Sequence, residues 1–457
     1  MNLLFPSIHA VLAAEQRLKQ LGIAVDMVPV PRDARADCGM ALAVDDAAVE
    51  AAEAALVEAG LAPNGRWPSP SPGADHPRAE NLIYLDHAAT SWPKPPEVAA
   101  AIARHLSGIT AVAGRGGHRP ALAAARLVFE ARRRWAEILG AARPENLVFV
   151  RGATEGLNLV LKGFLRPGDR VAVSPLEHNA VMRPLERLVR ERSIEVELLP
   201  ADPLGKIDLA AAARLAGGKR FALLIVQQAS NVNGVVQDLA GLREAFPNTP
   251  LLVDGAQSAG LLPISLAADR FDFFACSLHK SLGGPTGLGL CYLSDRYEVT
   301  PLIEGGTGSE SESFEQPGFR PDRYESGTMN LVGIAGALGA AEAFRRVGPR
   351  GDRVRRLAAR LIAALEKIPG VRLFSPRDGT ALVAAFTVPG IPSDQVAGQL
   401  EERFGVLCRP GLHCAPAAHR HLGTFPSGTL RFAPGPELDE SKIDAAAAAV
   451  AAIAHRE

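Results

Sequence analysis

Between Leu147 and Ala275 the chain repeats one pattern six times: a short apolar run, then a stretch with helical spacing. The runs are Leu147–Val150, Val171–Val173, Val196–Leu199, Phe221–Val226, Leu251–Val253 and Phe271–Ala275. Apolar strands that alternate with helices bury both of their faces in a mostly parallel sheet with crossover helices. Such a sheet takes its ligands at the carboxyl ends of its strands. The residues that follow these runs are therefore where chemistry is expected.

The flanks of this region have different textures. Asn2–Phe5 reads as a strand, Ser7 as the cap of a helix through Leu21, and Gly22 as its end. Ile23–Val30 and Cys38–Val44 read as strands, and Asp45 and Asp46 open a helix closed by Gly60. The expectation is a small α+β domain over residues 1–61. Residues 62–80, APNGRWPSPSPGADHPRAE, lack apolar periodicity and read as a flexible linker. A large α/β domain is expected over 81–330. Helical patterns at Met329–Arg346 and Asp352–Ile368, then strands near Val371–Phe374, Leu382–Thr387 and Leu430–Phe432, make 331–457 a smaller α+β domain. Residues 81–110 are expected to pack against it.

Composition removes several function classes. The 457 residues carry a net charge of −1, with acids and bases interspersed, so neither a nucleic-acid nor a membrane footprint is present. No segment is long and apolar enough to span a bilayer. The opening MNLLFPSIHA has no basic n-region and is not expected to be a secretion signal. Five scattered cysteines do not form a disulfide framework, which points to a reducing cytoplasm.

Five strand ends carry candidate chemistry. Arg151-Gly152-Ala153-Thr154 follows a strand and opens a helix, where free N–H groups and the helix dipole hold a phosphate; Thr154 is equally readable as a cap. Ser174-Pro175-Leu176-Glu177-His178 places a histidine that can stack on a planar ring, or simply start a helix. Asn231, in Ser230-Asn231-Val232-Asn233-Gly234, can bond a phenolic oxygen or belong only to a turn. Asp254 ends the Leu251–Val253 run, where a carboxylate can keep a ring nitrogen protonated or cap a helix. Finally Ser277-Leu278-His279-Lys280 runs into a turn at Gly283, Gly284, Gly287 and Gly289. A lysine at a strand end beside closely approaching backbone suits a covalent amine, although a lysine in a loop is more often solvated.

Together LDHAAT, RGATEGLN, PLEHNA, SNVNG, VDGAQ and SLHK closely resemble the class V aminotransferase family, specifically cysteine desulfurases and selenocysteine lyases, from about Asn81 to the C-terminus. The resemblance implies the fold type I architecture of pyridoxal-phosphate enzymes: a mostly parallel, seven-stranded large domain with a smaller α+β C-terminal domain. It implies that Lys280 anchors pyridoxal 5'-phosphate covalently and that His178 stacks on the ring. Asp254 then meets the ring nitrogen, with Gln257 and Asn231 on the ring oxygen and Thr154, Ser277 and His279 on the phosphate. No metal is implied. Gly305-Gly306-Thr307 resembles the loop by which such homodimers reach the neighbouring site, with Thr307 on the other subunit's phosphate.

The reaction is read from Cys408-Arg409-Pro410-Gly411-Leu412-His413-Cys414. Glycine and proline make a defined loop, and cationic neighbours favour the thiolate of Cys414; a buried structural cysteine is the alternative. The segment resembles the R-x-G-x-H-C loop of the desulfurase branch, departing from its commonest form at Pro410 and Leu412. This implies that Cys414 takes sulfur from L-cysteine, or selenium from L-selenocysteine, and that L-alanine leaves. Lys280 and His178 carry the protons. Arg431 clamps the substrate carboxylate, with Arg409 and His413 beside the substrate. Cys276, Cys291 and Cys408 read as core residues. A class V aminotransferase or another lyase is the rival activity.

The N-terminal segments Phe5-Pro6-Ser7-Ile8-His9, Pro29-Val30-Pro31-Arg32 and Asp37-Cys38-Gly39 resemble a small family of sulfur- or selenium-carrier-like domains. Cys38 matches its characteristic cysteine and becomes an acceptor for the atom held on Cys414. An ordinary thiol, or a docking module that recruits a separate acceptor protein, remains the alternative.

Overall fold

The computed structural model describes residues 1–29, 40–67, 82–114 and 116–455. At the N-terminus β1 (Asn2–Leu4) leads into α1 (Ile8–Gln20), β2 (Val25–Pro29), β3 (Met40–Val44), α2 (Val49–Glu58) and β4 (Gly65–Trp67). Ser7 Oγ accepts the Ala10 N–H and caps α1, and Gly22 follows at φ +74°. The strands form an antiparallel sheet in the order β2-β3-β1-β4, with Leu3 opposite Leu42. Val11, Ala14 and Leu18 on α1, and Ala52 and Leu56 on α2, share its core. Their spacing of three and four residues sets them on one face of each helix.

One boundary moves. Gly65–Trp67, expected to be linker, pair with β1 at the sheet edge. Three residues without apolar alternation carry no strand signal; their backbone is recruited by the open edge of β1, and Arg66 ties them to Glu53 of α2 through two 2.6 Å hydrogen bonds. Cys38 of the expected small domain and residues 68–80 of the expected linker lie outside the described residues.

The chain continues through β5 (Ile83–Tyr84), α3 (Pro96–Ser107), α4 (Arg119–Leu139), β6 (Leu147–Val150), α5 (Ala153–Phe164), β7 (Arg170–Val173), α6 (Asn179–Arg192) and β8 (Glu195–Leu198). Then come α7 (Leu209–Gly218), β9 (Leu223–Gln227), α8 (Leu239–Ala245), β10 (Leu251–Asp254), β11 (Phe273–Ser277), β12 (Gly289–Leu293) and α9 (Leu331–Val347). Seven strands make one sheet, β6-β12-β11-β10-β9-β7-β8, in which β12 runs antiparallel to both neighbours. Successive side chains of a strand go to opposite faces. Leu224 and Val226 enter a core with Trp135, Phe274 and Phe344, while Leu223 and Ile225 enter another with Leu157 and Val181. That two-sided burial is why these strands read as unbroken apolar runs.

The last part holds α10 (Gly351–Leu365), β13 (Arg372–Leu373), β14 (Ala384–Thr387), α11 (Ser393–Phe404), β15 (Val406–Leu407), β16 (Arg409–Gly411), α12 (Pro416–His421), β17 (Thr429–Phe432) and α13 (Glu440–Ala454). Its antiparallel sheet, β13-β14-β17-β16, shares a core of Leu361, Phe386, Phe432 and Val450 with the helices. β5 pairs with β15, and Ile83 and Leu85 enter this core.

α9 does not follow the expected boundary at 330. Ile334, Ala337, Ala340 and Phe344 lie in the large-domain core, so by packing the small domain begins at α10. Small residues bring α9 against α3: a Cβ on Gly339 would fall 2.4 Å from the Glu97 carbonyl oxygen. Among the described residues no helix is long and apolar enough to cross a membrane.

Candidate active site

β11, β10, β9 and β7 are consecutive in the sheet and parallel, so their carboxyl ends share one edge. There the chain places Ser277–Lys280, Asp254, Gln227–Asn231 and Ser174–His178. Asp254 is 1% exposed; its carboxylate accepts the Ala256 N–H at 2.9 Å and has no ion-pair partner among the described residues. Burial raises its pKa, while Lys280 draws it back down. A buried carboxylate with one N–H donor is costly until a cation meets it.

Lys280 retains a partial opening to solvent. Burial lowers its amine to about 8, with Asp254 opposing the shift. His178 caps α6: its Nδ1 accepts the Ala180 N–H at 3.0 Å, which leaves the ring proton on Nε2. Burial and then the charge of Lys280 push this imidazole down to about 4, so it is neutral at pH 7. The helix-start reading and the ring-facing reading of His178 are therefore compatible.

α5 begins at Gly152 with no side-chain cap, and the Ala153 N–H donates to Ser277 Oγ at 2.9 Å. That bond brings the Thr154 turn and Ser277 together. The approach is tight: a Cβ on Gly289 would sit 2.5 Å from the Cys276 carbonyl oxygen and 2.6 Å from Gly152 Cα. His279 Nδ1 pairs with Thr90 Oγ1 at 3.1 Å, and Lys94 Nζ bonds Ser91 Oγ at 2.9 Å and also the His279 carbonyl, bracing the turn before Lys280. Gln257 Nε2 donates to the Ala88 carbonyl at 2.8 Å.

His413 and Cys414 both take left-handed backbone, φ 50° and 56°, which turns the Cys414 thiol outward and leaves it exposed. Two bonds hold this turn on the strand ends. The Asn179 N–H donates to the Cys414 carbonyl at 2.8 Å, and Asn231 Nδ2 donates to the His413 carbonyl at 2.7 Å. Asn231, expected on a ring oxygen, uses one N–H of its amide in this bond, and its Oδ1 faces Gln227 Nε2 at 3.4 Å. His413 is also not the cation that the sequence suggested. It is 5% exposed, and burial, then Arg431, hold its imidazole well below the ordinary range.

Arg431, 2% exposed, donates to the Asn231 carbonyl at 2.9 Å and to Asp86 Oδ1 at 2.5 Å; its Nε is buried without a partner. Arg409 is exposed, with Nη1 4.0 Å from Asp86 Oδ2. Thr307 bonds within its own loop, to Ser309 Oγ at 3.0 Å, and no described contact joins it to the other site residues. Cys276 and Cys291 are fully buried and Cys408 partly so.

Sequence reasoning passed over three residues in this arrangement: Asp86, Glu177 and Gln227. Asp86 and Glu177 stood inside quoted motifs, LDHAAT and PLEHNA, as acids beside apolar runs. That is the one signal they carried, because their partners arrive from other strands.

A buried unpaired acid, a lysine of lowered basicity and an uncapped helix start describe a covalent-cofactor enzyme of the parallel α/β type. Residues 83–445 match the family model described as Aminotransferase class-V, and the chain belongs to that family, which is pyridoxal-phosphate dependent. Residues 2–68 match a second model, described as Putative Se/S carrier protein-like. The chain is 32% identical over 377 residues to a protein of Pyrococcus abyssi named Probable cysteine desulfurase, covering 78% of this chain and 90% of that one. Among solved structures it resembles an apo cysteine desulfurase from Thermococcus onnurineus, with TM-score 0.77 and 29% identity over 84% of this chain and 97% of that one. An Escherichia coli cysteine desulfurase in an S-sulfonic acid form gives TM-score 0.73 and 30% identity over 82% and 95%.

The residues present fit this cofactor. Asp254 lacks the cation that a protonated ring nitrogen provides, Lys280 has the amine, and the start of α5 suits a phosphate.

Proposed function

We propose that this chain is a pyridoxal-phosphate-dependent cysteine desulfurase: it removes sulfur from L-cysteine, releases L-alanine and leaves the sulfur as a persulfide on Cys414. The observation that carries the reading is the Cys414 turn. Its exposed thiol is tied by the Asn179 and Asn231 bonds to the ends of β7 and β9, the first bearing His178 and the second lying beside β10 with Asp254. The names of the similar proteins favour this activity over transamination, and L-cysteine over L-selenocysteine.

Pyridoxal 5'-phosphate, held by Lys280, Asp254 and the start of α5, supplies an electron sink that acidifies the substrate Cα and makes the carbon–sulfur bond labile. Arg431, already oriented by Asp86 and the Asn231 carbonyl, binds the substrate carboxylate. The Lys280 amine takes the Cα proton and returns it to carbon. Neutral His178 would face the cofactor ring, presenting Nε2–H. The Cys414 thiolate attacks the substrate sulfur, so an S–S bond forms as the C–S bond breaks. The electron pair stays with the three-carbon fragment, which is protonated and leaves as alanine.

The finer assignments extend the same reading. Two copies pair, and Thr307 of each serves the other's phosphate site; the exposed apolar side chains of Phe129, Ile303 and Phe314 support a covered face. Cys38 of the carrier-like domain takes the sulfur next, by thiol exchange with the Cys414 persulfide, before passing it to an acceptor protein. Mass spectrometry after turnover tests that step: Cys38 gains sulfur only in chains that keep Cys414. The main reading is tested by incubating the holoenzyme with L-cysteine and a thiol reductant. Alanine and sulfide in equal amounts without any 2-oxo acid are expected; a requirement for a 2-oxo acid would make it an aminotransferase.

A further inference from the structure

Glu177 is a buried acid with no part in the steps above. It is 0% exposed. Its Oε1 accepts Ser174 Oγ–H at 2.6 Å and the Gln227 N–H at 2.6 Å, joining the loop after β7 to the end of β9. Its Oε2 is buried with no partner, and no cation pairs with it among the described residues.

From Glu177 two routes lead to the nucleophile. The first is along the chain: two residues on, the Asn179 N–H holds the Cys414 carbonyl. The second passes through Gln227, whose backbone N–H meets Glu177 and whose side-chain Nε2 faces Asn231 Oδ1; Asn231 Nδ2 in turn holds the His413 carbonyl. Both routes end on His413 and Cys414, consecutive non-glycine residues with left-handed backbone, a conformation that persists only when its surroundings over-determine it.

We propose that Glu177 is the positioning residue of the Cys414 turn, and that it serves in its neutral carboxylic acid form. The proposal rests on the desulfurase reading for what the turn does, but not for how the turn is held. The neutral form follows from the surroundings. Asp254 on β10 is the charged group that faces Glu177; β9 offers it an amide, α6 begins with neutral His178, and Lys280 lies with Asp254. Burial first, and then Asp254, raise the Glu177 carboxyl to about 8. The proton sits on Oε2, since Oε1 already accepts two bonds. Ionisation would set a second buried anion beside Asp254 and loosen the junction of β7 and β9.

The test uses the holoenzyme and the variants E177Q and E177A, with two readouts. The first is the rate of Cys414 alkylation by iodoacetamide, located by mass spectrometry and compared between proteins at equal pH. The second is single-turnover sulfur loading of Cys414 at pH 7 and pH 9, on either side of the Glu177 transition near 8. Glutamine keeps the acceptor oxygen and cannot ionise. E177Q is expected to match the wild type at pH 7 and to hold its loading at pH 9, where the wild type falls several-fold beyond the change seen in E177Q. E177A is expected to load about tenfold to a hundredfold more slowly at both pH values while its visible cofactor band persists.

The proposal is overturned if E177Q declines in step with the wild type, or if E177A alkylates and loads Cys414 as the wild type does at pH 7. Should E177A fail to fold, the E177Q comparison alone decides. Alkylation needs no turnover: altered alkylation in an enzyme that forms no alanine would sink the desulfurase reading and leave the role of Glu177 standing.

Discussion

Removing the Asp86 carboxylate isolates the strongest polar contact in the site. Arg431 is almost wholly enclosed, its side chain 3% exposed, and among the described residues Asp86 is its one counter-ion within 4 Å. In D86A the guanidinium keeps the Asn231 carbonyl, its Nε is already without a partner, and a positive charge remains in the interior. Breaking a buried pair from one side costs about 3–5 kcal/mol. Asp86 is 20% exposed, which lets some water reach the vacated position and favours the low end, about 3 kcal/mol. D86N keeps an acceptor and should lose roughly 1–2 kcal/mol. Urea unfolding measures these differences, and a cycle with R431M identifies their source. Because the methionine removes the charge that D86A strands, D86A/R431M should be more stable than D86A. The KM for L-cysteine should rise at least about tenfold in D86A, the factor that corresponds to 1.4 kcal/mol. If D86A unfolds within about 1 kcal/mol of the wild type, or if R431M fails to recover stability in the double variant, Arg431 is not a buried charge held by Asp86.

Further outcomes follow from the geometry. Lys280 has its amine lowered to about 8, so the rate at which the apoprotein captures pyridoxal 5'-phosphate, followed by visible absorbance, should climb between pH 6 and 8 and level above that. The same shift makes the charged amine unfavourable in the folded apoprotein: stability should rise with pH between 8 and the unfolded value of 10.5, and K280M should abolish that rise. D254N preserves shape but removes the buried carboxylate that would meet the ring nitrogen, and should weaken cofactor binding at least about tenfold by equilibrium titration. G289A drives a methyl to within 2.5 Å of the Cys276 carbonyl oxygen and should cost about 1–3 kcal/mol, whereas G217A in α7, with nothing within 4 Å, should gain about 0.5–1 kcal/mol in urea unfolding.

The parts legible in the sequence were those that depend on near neighbours in the chain. The strands β6, β7, β9, β10 and β11 announced themselves because burial on both faces leaves almost no polar position to interrupt them. The residues at their carboxyl ends followed from that, since a parallel sheet brings all such ends to one edge. β8, at the sheet edge, is largely exposed and carries Glu195 and Glu197, so the two-sided burial expected for Val196–Leu199 does not hold there. The parts that stayed hidden depend on distant partners. β4 exists because β1 has an open edge, not because Gly65–Trp67 favour extension. α9 has the same helical texture as α10, and the cores they enter separate them. His413 reads as a cation until burial takes its charge. Glu177 shows no spacing rule because it bridges two strands that meet only in the sheet.

The central claim is that Cys414 is the atom acceptor, and one measurement tests it most directly. Holoenzyme is mixed with one equivalent of L-cysteine, quenched, and mapped by mass spectrometry while alanine is quantified, beside C414S treated in the same way. The account predicts an additional sulfur atom on Cys414, one alanine per sulfur transferred, and a C414S enzyme that keeps its cofactor absorbance but releases no alanine. Wild-type alanine release from C414S, or sulfur first found on another cysteine with Cys414 unmodified, would contradict it.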